Sequence, residues 1–300
     1  MRARLGALRT ALRRGAIVLA MMALPSAVPA WGQTAAPLAV AKVANDFALI
    51  MGDYGKKLGI FQRNGVDPEI SLITQARMVQ ATIAGNVEVA LASGATLAFA
   101  AKGAPLKAVA ALSGPPKILV LVVRPDNSVP TIDGLRGRTA AVSNLGSLTD
   151  WAVSQIAISK GWDPGEIKRV AVGDTPARVA ALLTGNVDAA VIDIAEALDL
   201  QERGQVKILI NFGDLIENFQ NQIIYASDKA IAEKPDAVRR FVKGWFETIN
   251  YARENKAETV AFTRDTLGVR ESVAAEVYDQ LMLRTSFLPT VSSHHLRYGP

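Results

Sequence analysis

Nine residues, Ser143-Asn144-Leu145-Gly146-Ser147-Leu148-Thr149-Asp150-Trp151, bring together three hydroxyls, a glycine and an indole. The apolar Ala140–Val142 before them reads as a strand, and the residues after them begin a helix. Free N–H groups and the dipole at a helix start favour an anionic head group such as sulfonate or carboxylate. Gly146 lets the backbone approach a ligand, while Ser143, Ser147 and Thr149 supply hydroxyls. The same geometry also serves plain N-capping, with no ligand at all. Further strand ends offer comparable groups: Ala44-Asn45-Asp46-Phe47, Ala92-Ser93-Gly94-Ala95-Thr96, Ser113-Gly114, and Asp193. Phe47 and Trp151 suit either stacking on a ligand or core packing. Asp46 and Asp193 suit an amine as well as they suit helix caps. Arg77 and Arg178 are expected on helix surfaces rather than at an anion.

Other chemistry is excluded by composition. The chain has no cysteine, which removes disulfides, thiolate metal sites, cysteine nucleophiles and a lipid-modified N-terminal cysteine. Its two histidines, His294 and His295, are adjacent and near the end, so neither histidine catalysis nor a multi-histidine metal site is expected. No metal and no cofactor are called for, and binding without catalysis is the reading. The net charge of +5 points to an acidic partner only at first sight. Residues 1–30 hold five arginines and no acid, and the remainder has 28 basic and 28 acidic residues. A nucleic-acid surface is therefore not expected.

The elements that position these groups come as a repeat. Gly85-Asn86-Val87-Glu88-Val89-Ala90-Leu91 returns as Gly185-Asn186-Val187-Asp188-Ala189-Ala190-Val191. Gly65-Val66-Asp67-Pro68 returns as Gly161-Trp162-Asp163-Pro164, and Thr74-Gln75-Ala76-Arg77 as Thr175-Pro176-Ala177-Arg178. Each copy reads as turn, short strand, capped helix, Gly-Asn stop and buried strand, the pattern of a parallel sheet covered on both faces. In such sheets ligands bind beyond the carboxyl ends of the strands. A stripe of Val238, Phe241, Val242, Trp245 and Ile249 marks a long helix opening at Pro235.

Two α/β lobes are thus expected. The first comprises residues 31–122 and 224–300, the second 123–223, with Arg124–Pro130 as linker. Two crossings between them form a hinge beside a cleft. Residues 1–30 have the layout of a cleaved secretory signal: a basic segment, the apolar Ala16–Leu24, then small residues to Ala30. The mature chain is expected to be periplasmic and monomeric.

With the signal segment, Ala44–Phe61, Gly65–Ile70, Ala90–Ala98, Val123–Trp151 and Thr175–Ile192, the chain resembles the periplasmic substrate-binding proteins of ABC transporters. The similar branch is the nitrate, sulfonate and taurine group, with its binders of thiamine-precursor-like and aromatic compounds. The resemblance covers about residues 36–285, and Ile132–Arg138 matches the family's entry into its second lobe. It implies a two-lobe Venus-flytrap fold that closes on a small solute and delivers it to an inner-membrane permease. Ser292–Pro300 departs from the family's ending. Two alternatives remain: a pyrimidine or thiamine-precursor synthase on the same fold, and a sensor whose partner is a receptor.

Overall fold

The computed structural model describes residues 35–126 and 128–283. The signal segment at 1–30 and the departure at Ser292–Pro300 lie outside them. The strands of the described residues, in chain order, are β1 (Ala36–Lys42), β2 (Val66–Leu72), β3 (Val89–Ser93), β4 (Leu106–Ser113), β5 (Leu119–Val123), β6 (Thr139–Val142), β7 (Lys168–Ala171), β8 (Ala189–Asp193), β9 (Lys207–Asn211) and β10 (Gln222–Ser227). They form two five-stranded sheets, ordered β2-β1-β3-β10-β4 and β7-β6-β8-β5-β9.

The two orders are the same pattern. The first five strands begin at 36, 66, 89, 106 and 119, and their counterparts at 139, 168, 189, 207 and 222. The two Gly-Asn-Val strands, β3 and β8, are therefore equivalents at the centres of separate sheets. The fifth strand of each repeat leaves its own sheet and enters the other, next to that Gly-Asn-Val strand. Both entering strands run antiparallel to their neighbours. The sheets are consequently mixed rather than parallel, which corrects the expectation from the strand–helix alternation.

Leu119–Val123 was assigned from sequence to the first lobe, but it pairs with β8 and β9 of the second sheet. The chain changes sheet at Gly114-Pro115-Pro116-Lys117-Ile118, and again between Asn211 and Gln222. Pro125-Asp126 is a turn that follows β5 in the second half. An apolar central strand has the same pattern whichever sheet receives it, so periodicity could not place β5. Gly-Pro-Pro, whose prolines cannot continue a ladder, was the available signal. Pro68 was read as part of a turn but lies in β2, an edge strand where a missing N–H is tolerated.

The long helix spans Pro235–Glu254 and buries Val238, Phe241, Trp245 and Ile249 as its stripe requires. It packs on helices Met51–Lys57 and Ile60–Arg63 of the first half. Phe241 stacks on Phe61 with centroids 5.0 Å apart, a contact of about 0.5–1.5 kcal/mol beyond the area it buries. Helix Glu271–Tyr278 turns towards the second half, where Arg270 Nε donates to Asp199 Oδ1 at 2.9 Å. The largest apolar cluster draws on both sheets, from Leu38 and Val40 to Val120 and Ile192. Among the described residues no helix is long and apolar enough to cross a membrane.

Candidate functional site

The swap of β5 and β10 brings the strand ends together at the two crossings. Gln222 opens β10 between Ser93 of β3 and Ser113 of β4. Its backbone N–H donates to Ser113 Oγ at 3.2 Å. Its side-chain Nε2 donates to Asp46 Oδ2 at 2.8 Å, across 176 residues of sequence. Asp46 follows β1, and its other oxygen accepts Leu49 N–H at 2.9 Å. Tyr225 Oη donates to the Ser93 carbonyl at 3.0 Å and fixes that strand end. Gly94 N–H donates to the Asn221 carbonyl at 2.9 Å, and Asn221 N–H to the Ser113 carbonyl at 2.9 Å. The first half thus contributes Asp46, Ser93, Gly94 and Ser113 to one cluster, as expected. Asn221 and Gln222 join them without having been foreseen, because a polar residue heading an apolar strand is ordinary in any sheet.

The second half contributes Asp193, which ends β8 beside Leu119 of β5. Its Oδ1 accepts Ala195 N–H at 2.8 Å and caps the following helix. Its Oδ2 is shut from solvent with no protein partner. Burial first, then the nearby charge of Asp46, holds the Asp193 carboxyl well above the usual range. Burial also pushes Asp46 up to about 6, against the pull of the Leu49 N–H, the Gln222 amide, the Ala48 N–H and Lys42. Asp46, which follows a strand of the first sheet, is thus among the charges that act on Asp193 at the end of β8.

The hydroxyl run behaves differently from its anion-site reading. Ser147 is the N-cap of helix Leu148–Ser159, and its Oγ accepts Asp150 N–H at 3.3 Å. Ser143, Ser147 and Thr149 bond one another at 2.9–3.0 Å. Gly146 N–H donates to Asp150 Oδ2 at 2.9 Å. The Gly146 and Asp150 N–H groups are thus taken by the chain's own side chains. Ser147→Ala is expected to cost about 1 kcal/mol of stability and to leave solute affinity unchanged. Paired melts and calorimetry on that variant check both halves.

The two aromatics part company. Phe47 is fully buried in the largest apolar cluster. Trp151 is half-buried and stacks on Phe219 at 4.9 Å. Phe219 belongs to the second crossing, borders a cavity of about 320 Å³ with Gly114 and Pro115, and reaches towards Gly94. A larger hollow of about 440 Å³ opens elsewhere, against β1 and β2 near Lys56 and Val87. It holds none of the strand-end groups named above. Arg178, expected on a surface, is buried and folded onto its own loop through the Gly173 carbonyl and Thr175 Oγ1.

Two mixed sheets that exchange a strand define the periplasmic-binding-protein fold. The model of the NMT1/THI5-like family matches residues 50–259, and the chain belongs to that family. The fold is shared with the alkanesulfonate-binding protein SsuA from Xanthomonas axonopodis pv. citri bound to MOPS: 18% identity, 85% of each chain covered, TM-score 0.71. It is shared with the periplasmic aliphatic sulphonate binding protein SsuA from Escherichia coli, at 21% identity, 81% and 83% coverage, and TM-score 0.66. The desulfurization enzyme DSZB is also similar, at 15% identity, 80% and 82% coverage, and TM-score 0.59. No curated protein matches the sequence.

Proposed function

We propose that this chain is an exported solute-binding protein that takes a small organic solute between its two halves and delivers it to an ABC permease. The carrying observation is the set of buried polar atoms at the crossings that have no protein partner: Ser93 Oγ, both amide atoms of Asn221, Gln222 Oε1 and Asp193 Oδ2. Unfilled buried groups cost stability unless something satisfies them, and these converge from both sheets. A solute held from both sides favours the closed arrangement through its extra contacts there, so that binding and closure are coupled. The halves are taken to change over at residues 114–118 and 212–221. The helix start at Ser147 offers an anionic solute fewer donors than its sequence promises, since the Gly146 and Asp150 N–H groups are bonded within the chain.

The permease and the periplasmic location follow from the export layout of residues 1–30 and from the family. N-terminal sequencing of protein from a periplasmic extract should find those residues removed, and an intact Met1 there would overturn the export reading. A thermal-shift screen against sulfonates, nitrate, aromatic carboxylates, pyrimidines and amines tests binding itself. A solute at a hundredfold over its Kd should add about 2.7 kcal/mol, or roughly 5–11 °C for a chain of this size. A screen without any shift would count against the function proposed.

A further inference from the structure

We propose that the solute carries a cationic nitrogen, an ammonium or an amidinium, and that Asp46 and Asp193 hold it between the two sheets. This rests on the solute-binding reading and names the solute's chemical class.

The first ground is the balance of charge. Asp46 is bonded to Gln222 at the second crossing and Asp193 ends β8 opposite Leu119, just past the first, and among the described residues neither takes part in an ion pair. The cation that acts on Asp46 is Lys42, and its Nζ is bonded to Asp53. The charge acting on Asp193 besides Asp46 is Glu196, another acid. Burying two like charges without a counter-ion is costly, and a cation between them removes both the desolvation and the repulsion.

The second ground is independent of charge and concerns donors and acceptors. Ser93 and Gln222 are 5% and 3% exposed. Ser93 Oγ and Gln222 Oε1 have no protein partner. Gln222 has committed its donor to Asp46, which leaves its carbonyl as the open group. Asp193 Oδ2 is a further open acceptor, and Asn221 adds one open acceptor, Oδ1, and one open donor, Nδ2. An amide oxygen, and a carboxyl once a bound cation has ionised it, only accept, so acceptors outnumber donors in this set and suit a ligand with several N–H groups. A sulfonate or carboxylate brings acceptors alone. The N–H groups that would have received it at Gly146 and Asp150 are already bonded.

Calorimetry at pH 7.5 with one set of head groups on benzyl and propyl scaffolds tests this: ammonium, amidinium, carboxylate and sulfonate. The ammonium or amidinium members are expected to bind and the anions not to. Asp193→Asn should weaken the cation by about ten- to a hundredfold while the variant's melting temperature stays level or rises. The acids must be ionised to clamp a cation, so wild-type affinity should fall on acidification from pH 7.5 to 5. Lys42, Glu196 and the neutral Gln222 amide are the other groups facing them. Tighter binding of an anionic member, or a cation indifferent to Asp193→Asn, overturns the inference and leaves solute binding standing. Binding by no member overturns both.

Discussion

Replacing Gly94 by Ala is expected to lower the melting temperature by about 6–12 °C, the equivalent of about 3 kcal/mol or more. A β-carbon on Gly94 would lie 2.0 Å from the Gln220 carbonyl oxygen and 3.3 Å from the Phe219 ring. Real β-carbons do not approach within 3.0 Å, and the nearer obstacle is backbone that cannot rotate aside. The second crossing would have to lift away, losing the Gly94–Asn221 bond and disturbing the Asn221–Ser113 bond. Gln222 follows directly and would lose its hold on Asp46, so affinity should fall along with stability. Gly114→Ala is the control, because nothing lies within 4 Å of a β-carbon there. It should change stability by no more than about 0.5 kcal/mol. Urea melts of the two variants decide the matter, and a Gly94→Ala protein as stable as wild type would mean that Gln220 does not lie against that strand end.

Without solute, the protein should grow more stable as pH falls from 7.5 to 5, against the usual trend. Burial raises the folded Asp46 carboxyl from 3.8 to about 6. Over that interval the native state binds more protons than the unfolded chain, so stability declines as pH rises. The contribution is complete below the unfolded value and lost as pH climbs through about 6. It is worth about 3 kcal/mol in all and about 1.4 kcal/mol by pH 5, or roughly 3–6 °C. Asp193 and Glu196 are raised as well and act in the same sense. Carboxyls shifted downwards, such as Asp188 and Glu166, act oppositely. They do so only below their own unfolded range, so the window from pH 7.5 to 5 isolates the raised group.

Asp46→Asn should remove much of that slope and stabilise the protein at pH 7.5 by up to about 3 kcal/mol. The variant keeps its contacts: Asn accepts the Leu49 N–H, and an amide flip lets Gln222 Oε1 receive the new donor. Thermal melts across pH on wild type and variant check this. A flat wild-type profile would show that the Asp46 carboxyl is not raised.

The legible part of the molecule was the part set by local chemistry. The doubled Gly-Asn-Val landmarks announced two equivalent units, because a helix stop before a buried strand needs those residue types wherever it occurs. The strand ends after β1, β3, β4, β6 and β8 were all marked by small polar residues and aspartate. Excluding thiol and histidine chemistry needed only composition. The stripe from Val238 to Ile249 gave the long helix its buried face.

What only the tertiary structure decided is where strands and charges end up. Val120–Val123 is apolar on both faces, so nothing in it distinguishes one sheet from the other. The chain's crossings at Gly114–Ile118 and ahead of Gln222 settle that, and with it the bond from Gln222 to Asp46. Whether a helix start receives a ligand or its own side chains is likewise invisible in a run of hydroxyls. Ser147 and Asp150 reach the free N–H groups first because they are tethered beside them, and a tethered group closes a short loop at little entropic cost. Capping is written in neighbouring residues, whereas the bond from Gln222 to Asp46, across 176 residues of sequence, exists only once the strands have been exchanged.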